Sequence, residues 1–189
     1  ASGDSKAREA ILRATHYLLR HHIRAVSGSA GKQAVFSLPG EEVTGTNAEI
    51  KLGGCALGLV GLLKARELEP ELVPIQTLRQ VGQFILFMQE ESGHFRSKYN
   101  ETRHAFEDFE SEYYPGEAIL ALSLLHRVDP DPQWLNAALR GVLFLEESRQ
   151  GLAVNHLPND HWLMIASAAL LPQFAAAASP PISRERVLG

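Results

Sequence analysis

Two kinds of hydrophobic pattern alternate along the 189-residue chain. The first kind places apolar side chains three and four positions apart, which predicts amphipathic helices with one buried stripe. These helices are predicted at 7–23, 70–91 and 133–148. The second kind is apolar on nearly every face, which predicts helices enclosed by other parts of the protein. These helices are predicted at 46–68, 116–128 and 161–176, the first of them capped by Thr46 or Asn47.

A short segment of extended character follows each amphipathic helix and its glycine-containing break. These extended segments are predicted at 33–38, 94–99 and 151–157. The same order of elements therefore occurs three times. Two of the copies are also alike in sequence, since ILFMQEES at 85–92 matches VLFLEES at 142–148. A repeated helical pair that cannot bury its own apolar face must stack on its neighbours.

The repeat predicts an all-α fold, with about three helical hairpins in an arc. Apolar helices form its inner layer and amphipathic helices its outer layer, with short β segments in the loops. We expect one domain over 1–176 and a flexible tail over 177–189. The apolar helix of the first hairpin contains four glycines between 53 and 61, each of which costs about 1 kcal/mol of helix propensity relative to alanine. Close approach by neighbouring helices would offset that cost.

Composition excludes several classes of protein. The chain is 45% hydrophobic with a net charge of −4, which argues against intrinsic disorder. With 18 basic against 22 acidic residues, it lacks the positive excess that drives nucleic-acid binding. The single cysteine, Cys55, cannot form an internal disulfide, and no apolar run is long enough to span a bilayer. Both a cytoplasmic and a periplasmic or other extracytoplasmic location fit this composition.

The alternation of outer and inner helices resembles the α/α toroid superfamily over about residues 5–176. That group includes the six-hairpin glycosidase-like proteins, uronyl hydrolases, sugar epimerases, polysaccharide lyases and terpenoid-cyclase-like proteins. Complete members carry about six hairpins, whereas this chain has three. The chain also lacks the aspartate-rich motif of the cyclases and the Cys/His zinc ligands of the related zinc enzymes. The resemblance therefore implies a carbohydrate-active protein of bacterial type.

Acidic residues concentrate in the loops that lead into the apolar helices. Glycoside chemistry uses two carboxyl groups, one as the acid and one as the base or nucleophile. The candidates are Glu117, Glu112 and Asp160, with Tyr113 as a further acid–base group. Glu117 stands in an otherwise apolar helix, where burial would raise its pKa. Two alternatives stay open: Glu112 and Asp160 cap helix N-termini, and Glu117 pairs with Lys51, Arg96 or Lys98.

The same loops carry rings and cations suited to a sugar ligand. Aromatic faces stack on sugar rings, and arginine and lysine bind carboxylates. The candidate substrate-binding residues are Glu49, Lys51, His94, Arg96, Lys98, Tyr114, His161 and Trp162. The alternative for the aromatics is that they cover the core where the helices diverge. No HExxH or CxxC spacing is present, so we expect neither a metal nor another cofactor.

Two functions follow from these residues. In the first, the domain binds an acidic polysaccharide and hydrolyses or epimerises it by carboxylate and tyrosine acid–base chemistry, as a glycoside hydrolase, epimerase or lyase-like enzyme. In the second, it is a non-catalytic helical-repeat module for binding or scaffolding, or part of a larger toroid enzyme. We expect a carbohydrate or another small molecule as the ligand. Association with a second copy or with the rest of a longer chain stays open.

Overall fold

The computed structural model describes residues 5–38 and 48–174. Within these residues the helices are α1 (Ser5–Tyr17), α2 (Leu52–Leu68), α3 (Ile75–Phe87), α4 (Tyr114–Val128), α5 (Pro132–Arg149) and α6 (His161–Phe174). The strands are β1 (Ile23–Ala25), β2 (Gln33–Val35), β3 (Glu49–Lys51), β4 (Lys98–Asn100) and β5 (Ala105–Phe106). A π-helical turn at Leu18–His22 extends α1, and a 3-10 turn covers Val154–His156. The predicted Thr46 or Asn47 cap and the predicted tail at 177–189 lie outside the described residues.

The predicted two-layer arrangement of helices is confirmed. Helices α2, α4 and α6 pack side by side, with α4 in the middle. Helix α1 packs on α2, helix α3 on α2 and α4, and helix α5 on α4. Every residue of α4 from Pro115 to Ser123 is buried, as expected for an apolar helix with neighbours on all sides.

Short antiparallel strands connect the two layers. Strand β1 pairs with β2, and β4 lies between β3 and β5, with Ile50 opposite Tyr99 and Tyr99 opposite Phe106. Strand β3 runs directly into α2, so α2 begins at Leu52 and the predicted start near residue 47 is wrong. The sequence pattern missed this boundary because the pairing partner of β3 lies some fifty positions further along the chain.

Two other predicted elements differ from the structure. Helix α3 begins at Ile75 rather than at Pro70, because Pro74 has an extended backbone and a proline disfavours helical conformation in the residue before it. The segment 151–157 was predicted to be extended, but it forms turns and the 3-10 turn instead. None of the described strands pairs with this segment, so no sheet in that part of the chain holds it in an extended conformation.

Helix α6 is enclosed on one side only. Its α4-facing side is buried, whereas Met164 is 74% exposed and Ile165 is 47% exposed. The prediction of a helix enclosed on all faces therefore describes α4 but neither α6 nor α2, whose Leu57 is 40% exposed. Helices α2 and α6 flank α4 in the described inner layer, so each is covered less completely than α4. Among the described residues, no helix is long and apolar enough to cross a membrane.

Candidate active site at the inner-helix N-termini

Two glycines bring the first turns of the three inner helices together. A Cβ atom on Gly53 of α2 would lie 2.5 Å from Oε2 of Glu117 and 2.5 Å from Cδ1 of Tyr114, both on α4. A Cβ atom on Gly116 of α4 would lie 2.7 Å from the backbone nitrogen of Leu163 on α6. Larger residues would push the helices apart. The close approach predicted from the glycines of the first inner helix is thus present at Gly53, where it helps to build the candidate site.

Glu117 is a buried carboxyl group that forms no ion pair with a lysine or arginine of the described residues. It is 6% exposed, and its Oε2 atom is fully buried and accepts no hydrogen bond from any described residue. Burial raises the pKa of Glu117 to about 7, while His161 acts to lower it and the negative charge of Asp160 acts to raise it. A carboxyl group with this pKa is partly protonated at neutral pH, so it can donate a proton as well as accept one.

Asp160 has both of its carboxylate oxygens engaged. Oδ1 accepts a hydrogen bond of 2.9 Å from the backbone N–H of Leu163, which caps the N-terminus of α6. Oδ2 accepts a hydrogen bond of 2.7 Å from Nη2 of Arg149 on α5. These contacts favour the capping interpretation of Asp160 over a role as base or nucleophile. Arg149 was not singled out in the sequence, because the pair forms only once α5 packs beside the start of α6.

Aromatic rings line the same end of the inner layer. The ring of Tyr113 lies 5.8 Å from that of His161, which lies 5.2 Å from that of Trp162. Tyr114 lies 6.3 Å from Phe109, a ring that the sequence analysis did not select. Tyr113 and Phe109 are 43% and 42% exposed, so both rings are open to a ligand. The signal that could have identified Phe109 is its place in the aromatic and acidic stretch just before α4.

The predicted cations at the mouth already face carboxylates. The register of β3 and β4 places Lys51 opposite Lys98. Glu49 lies between the two ammonium groups, with Nζ of Lys98 at 3.0 Å and Nζ of Lys51 at 3.8 Å. Lys98 also lies 4.2 Å above the centre of the Phe109 ring. Neither lysine pairs with Glu117 in the described residues, so the internal ion pair considered for Glu117 is absent there.

His94 and Arg96 belong to a separate ionic cluster. Nε of Arg96 lies 2.6 Å from Glu90, and Nη1 lies 3.8 Å from Glu110. His94 lies 3.2 Å from Glu110, and its ring is 5.0 Å from that of Phe144. These contacts link the turn after α3 to the loop before α4 and to α5.

The remaining acidic candidate, Glu112, is exposed in the loop just before Tyr113. Beside the site, a cavity of about 490 Å³ is lined by Arg149, Leu157, Pro158, Asn159, Asp160, His161, Leu163 and Met164. Across residues 5–38 and 48–174, no group of three or more His, Cys, Asp or Glu side chains is arranged to hold a metal ion.

Comparison with known proteins identifies the fold. No protein-family profile and no curated protein sequence matches this chain. Among solved structures, the chain superposes with a TM-score of 0.67 on alpha-1,6-mannanase GH76A of Salegentibacter sp. HEL1_6, solved as an inactive variant in complex with alpha-1,6-mannotriose. The two sequences are 13% identical, and the match covers 98% of this chain and 55% of the mannanase chain. The chain thus spans about half the length of the structure it matches, and the predicted α/α toroid fold is confirmed as a partial toroid.

Proposed function

We propose that this domain binds a neutral carbohydrate chain at the N-termini of its inner helices, with Glu117 as the proton donor in cleavage of a glycosidic bond. The observation that carries the proposal is the buried Glu117 carboxyl group, whose Oε2 atom accepts no hydrogen bond from the described residues and packs against Gly53. Burial raises the pKa of Glu117 to about 7, which keeps a proton available near neutral pH. The protonated carboxyl would give this proton to the leaving glycosidic oxygen as the bond to the anomeric carbon breaks.

Glycoside hydrolysis also needs a second carboxylate to activate water or to attack the sugar. Asp160 has both oxygens occupied, by Leu163 and Arg149. Glu112 is exposed and forms no ion pair with a described residue, so we assign it the role of base or nucleophile. Tyr113, Tyr114 and Trp162 would form the platform for the sugar rings, with Phe109 extending it.

The charges at the mouth favour a neutral ligand over the acidic polysaccharide expected from the sequence. Lys51 and Lys98 share Glu49, and Arg96 pairs with Glu90 and Glu110. A substrate carboxylate would have to displace one of these protein carboxylates from its cation. The mannanase that shares the fold is solved with a neutral oligosaccharide, which is consistent with this assignment.

The decisive experiment compares two ligands and two variants. Binding and cleavage of alpha-1,6-linked manno-oligosaccharides and of uronic-acid oligosaccharides are measured by calorimetry and by product analysis. We expect the neutral sugars to bind, and Glu117→Gln to retain that binding while losing cleavage by about 100-fold or more. Glu71→Gln is the matched control, because Glu71 is exposed in the turn after α2, at the opposite end of that helix from Gly53.

Full cleavage by Glu117→Gln would contradict the assignment of the acid, and binding of the uronic-acid sugars alone would contradict the neutral ligand. A non-catalytic binding module is the second candidate. It is favoured by the engagement of both oxygens of Asp160, which leaves Glu117 as the one buried carboxyl of the described site without a partner. Tight binding of neutral sugars without cleavage by the unmodified protein would select this candidate.

A further inference from the structure

The pair formed by Asp160 and Arg149 lies next to Glu117 but has no place in the proposed chemistry. We propose that Asp160 and Arg149 are positioning residues: together they fix the first turn of α6 beside Glu117, and Arg149 offsets the negative charge that Asp160 would otherwise present to the Glu117 carboxyl. The inference rests on the proposed function for the role of Glu117 as the acid. The geometry of the pair does not depend on that role.

Asp160 and Arg149 form a close ion pair between α6 and α5. The side chain of Asp160 is 2% exposed and that of Arg149 is 18% exposed, and the two groups are 2.7 Å apart. Through its other oxygen, Asp160 holds the backbone N–H of Leu163 at 2.9 Å. The same carboxylate thus ties the end of α5 to the start of α6. His161 and Trp162, whose rings face the site, lie in the turn that it fixes.

The first turn of α6 packs closely against α4. A Cβ atom on Gly116 would lie 3.0 Å from Oδ1 of Asp160 and 2.9 Å from Cβ of Trp162. Gly116 directly precedes Glu117, so the carboxylate of Asp160 is held against the backbone next to the acid. A shift of the first turn of α6 would therefore change the surroundings of Glu117 directly.

The charged groups that act on Glu117 lie at the start of α6. The ionisable groups that act on Glu117 are Asp160 and His161, both from the start of α6, while α2 presents the uncharged Gly53. The negative charge of Asp160 disfavours ionisation of Glu117, and His161 favours it. Arg149, which faces Asp160, moderates the first of these two effects. Burial is the main cause of the raised pKa of Glu117, and the pair adjusts the pH at which Glu117 releases its proton.

The test is a carbon-13 NMR titration of Glu117 in three variants, which requires no substrate. Asp160→Asn keeps the helix cap, because asparagine caps as well as aspartate, but it removes the charge. We expect its Glu117 midpoint to fall by about 0.5 to 1 pH unit. Arg149→Met leaves the Asp160 charge without its partner and should move the midpoint upward. Arg149→Lys keeps a positive charge and should restore most of the original value.

A purely structural role would lower the melting temperature of these variants and leave the midpoint of Glu117 unchanged, which would overturn the proposal. If Arg149→Met does not fold, the comparison of Asp160→Asn and Arg149→Lys with the unmodified protein still decides the outcome. A midpoint that rises in Asp160→Asn would also overturn it. If Glu117→Gln keeps full activity, the proposed acid is wrong, yet the titration still measures whether Asp160 and Arg149 act on Glu117.

Discussion

Gly53 of α2 leaves open the space that the carboxyl group of Glu117 on α4 occupies. A Cβ atom at position 53 would lie 2.5 Å from Oε2 of Glu117 and equally close to the Tyr114 ring. Cβ atoms in proteins essentially never come this close to other heavy atoms, so something would have to shift. Both neighbours are the far ends of side chains that can move. The expected consequence of a larger residue is therefore displacement of these two groups rather than unfolding.

Gly53→Ala is predicted to move Glu117 toward solvent and so to shift its titration midpoint down toward that of an ordinary glutamate. Repacking at this contact should cost about 1 to 3 kcal/mol, offset in part by the higher helix propensity of alanine. Gly61→Ala in the same helix is the control, because a Cβ atom there meets nothing within 4 Å. It should leave the midpoint unchanged and raise the free energy of unfolding by up to about 1 kcal/mol. An unshifted midpoint in Gly53→Ala would contradict this account.

The raised pKa of Glu117 predicts a specific pH dependence of stability. Because the pKa is about 7 in the folded protein and 4.5 for an ordinary glutamate, the folded state holds this proton more tightly than the unfolded state. The contribution of Glu117 to stability is therefore largest below pH 4.5 and is lost as the pH rises through 7. The total loss in the free energy of unfolding is no more than about 3 kcal/mol. Glu117→Gln should remove this decline. In urea unfolding, the free energy of unfolding of the variant should therefore rise relative to that of the unmodified protein as the pH increases from 4.5 to 8. Glu91→Gln, at an exposed site, should show no such trend.

Asp129 is predicted to stabilise the protein with the opposite pH dependence. Its carboxylate accepts hydrogen bonds from Arg79, at 3.0 and 2.7 Å, and from the buried Trp134 indole, at 3.0 Å. The Arg79 hydrogen bond holds the pKa of Asp129 below its usual 3.8, so this stabilisation is present above pH 3.8 and is lost as the pH falls through the folded-state pKa. Asp129→Asn should cost about 2 kcal/mol at neutral pH, and less at low pH.

The control for Asp129 is Arg13→Gln, which removes the exposed ion pair between Arg13 and Glu9 within α1. Exposed pairs of this kind contribute about 0 to 1 kcal/mol. Equal losses in Asp129→Asn and Arg13→Gln at neutral pH would refute the role assigned to Asp129.

Tyr113→Ala is predicted to weaken oligosaccharide binding about tenfold, because it removes an exposed ring from the proposed platform. Phe106→Ala is a matched control, since both rings are 43% exposed. Phe106 packs instead against Phe87 and Tyr99, with ring centres 5.4 and 5.5 Å apart. Calorimetric titration with manno-oligosaccharides distinguishes the two variants. Equal effects from both would show that exposed aromatic area, rather than the site, governs binding.

Cys55 is predicted to be unreactive in the folded protein. Its side chain is fully buried, its Sγ atom lies 3.3 Å from the backbone nitrogen of Val35, and burial raises the pKa of the thiol to about 12. Thiolate, the reactive form, is therefore scarce at neutral pH. A colorimetric thiol reagent should detect no cysteine in the native protein and one per chain in urea. Rapid native labelling would contradict the buried position of Cys55.

The order and kind of the helices followed from the sequence alone. Helical periodicity, glycine breaks and two repeated segments predicted the alternation of outer and inner helices, because each depends on residues within a few turns of one another. The same local signals predicted which candidate site residues lie at the starts of the inner helices, and the structure brings Tyr114 and Glu117 close to Gly53, and Tyr113 close to His161. Local signals do not predict strand β3, because its pairing partner Lys98–Asn100 is distant in sequence.

The tertiary structure decided which of these side chains form ion pairs and hydrogen bonds. The pairing of β3 with β4 placed Glu49 between Lys51 and Lys98, and the packing of α5 beside α6 gave Asp160 its partner Arg149. The same packing buries Oε2 of Glu117 without a hydrogen-bond donor from the described residues. Composition and local pattern determine which helices form, because a helix depends on near neighbours. The charge state of a buried carboxyl depends on atoms brought together from distant parts of the chain, and only the packed structure specifies those.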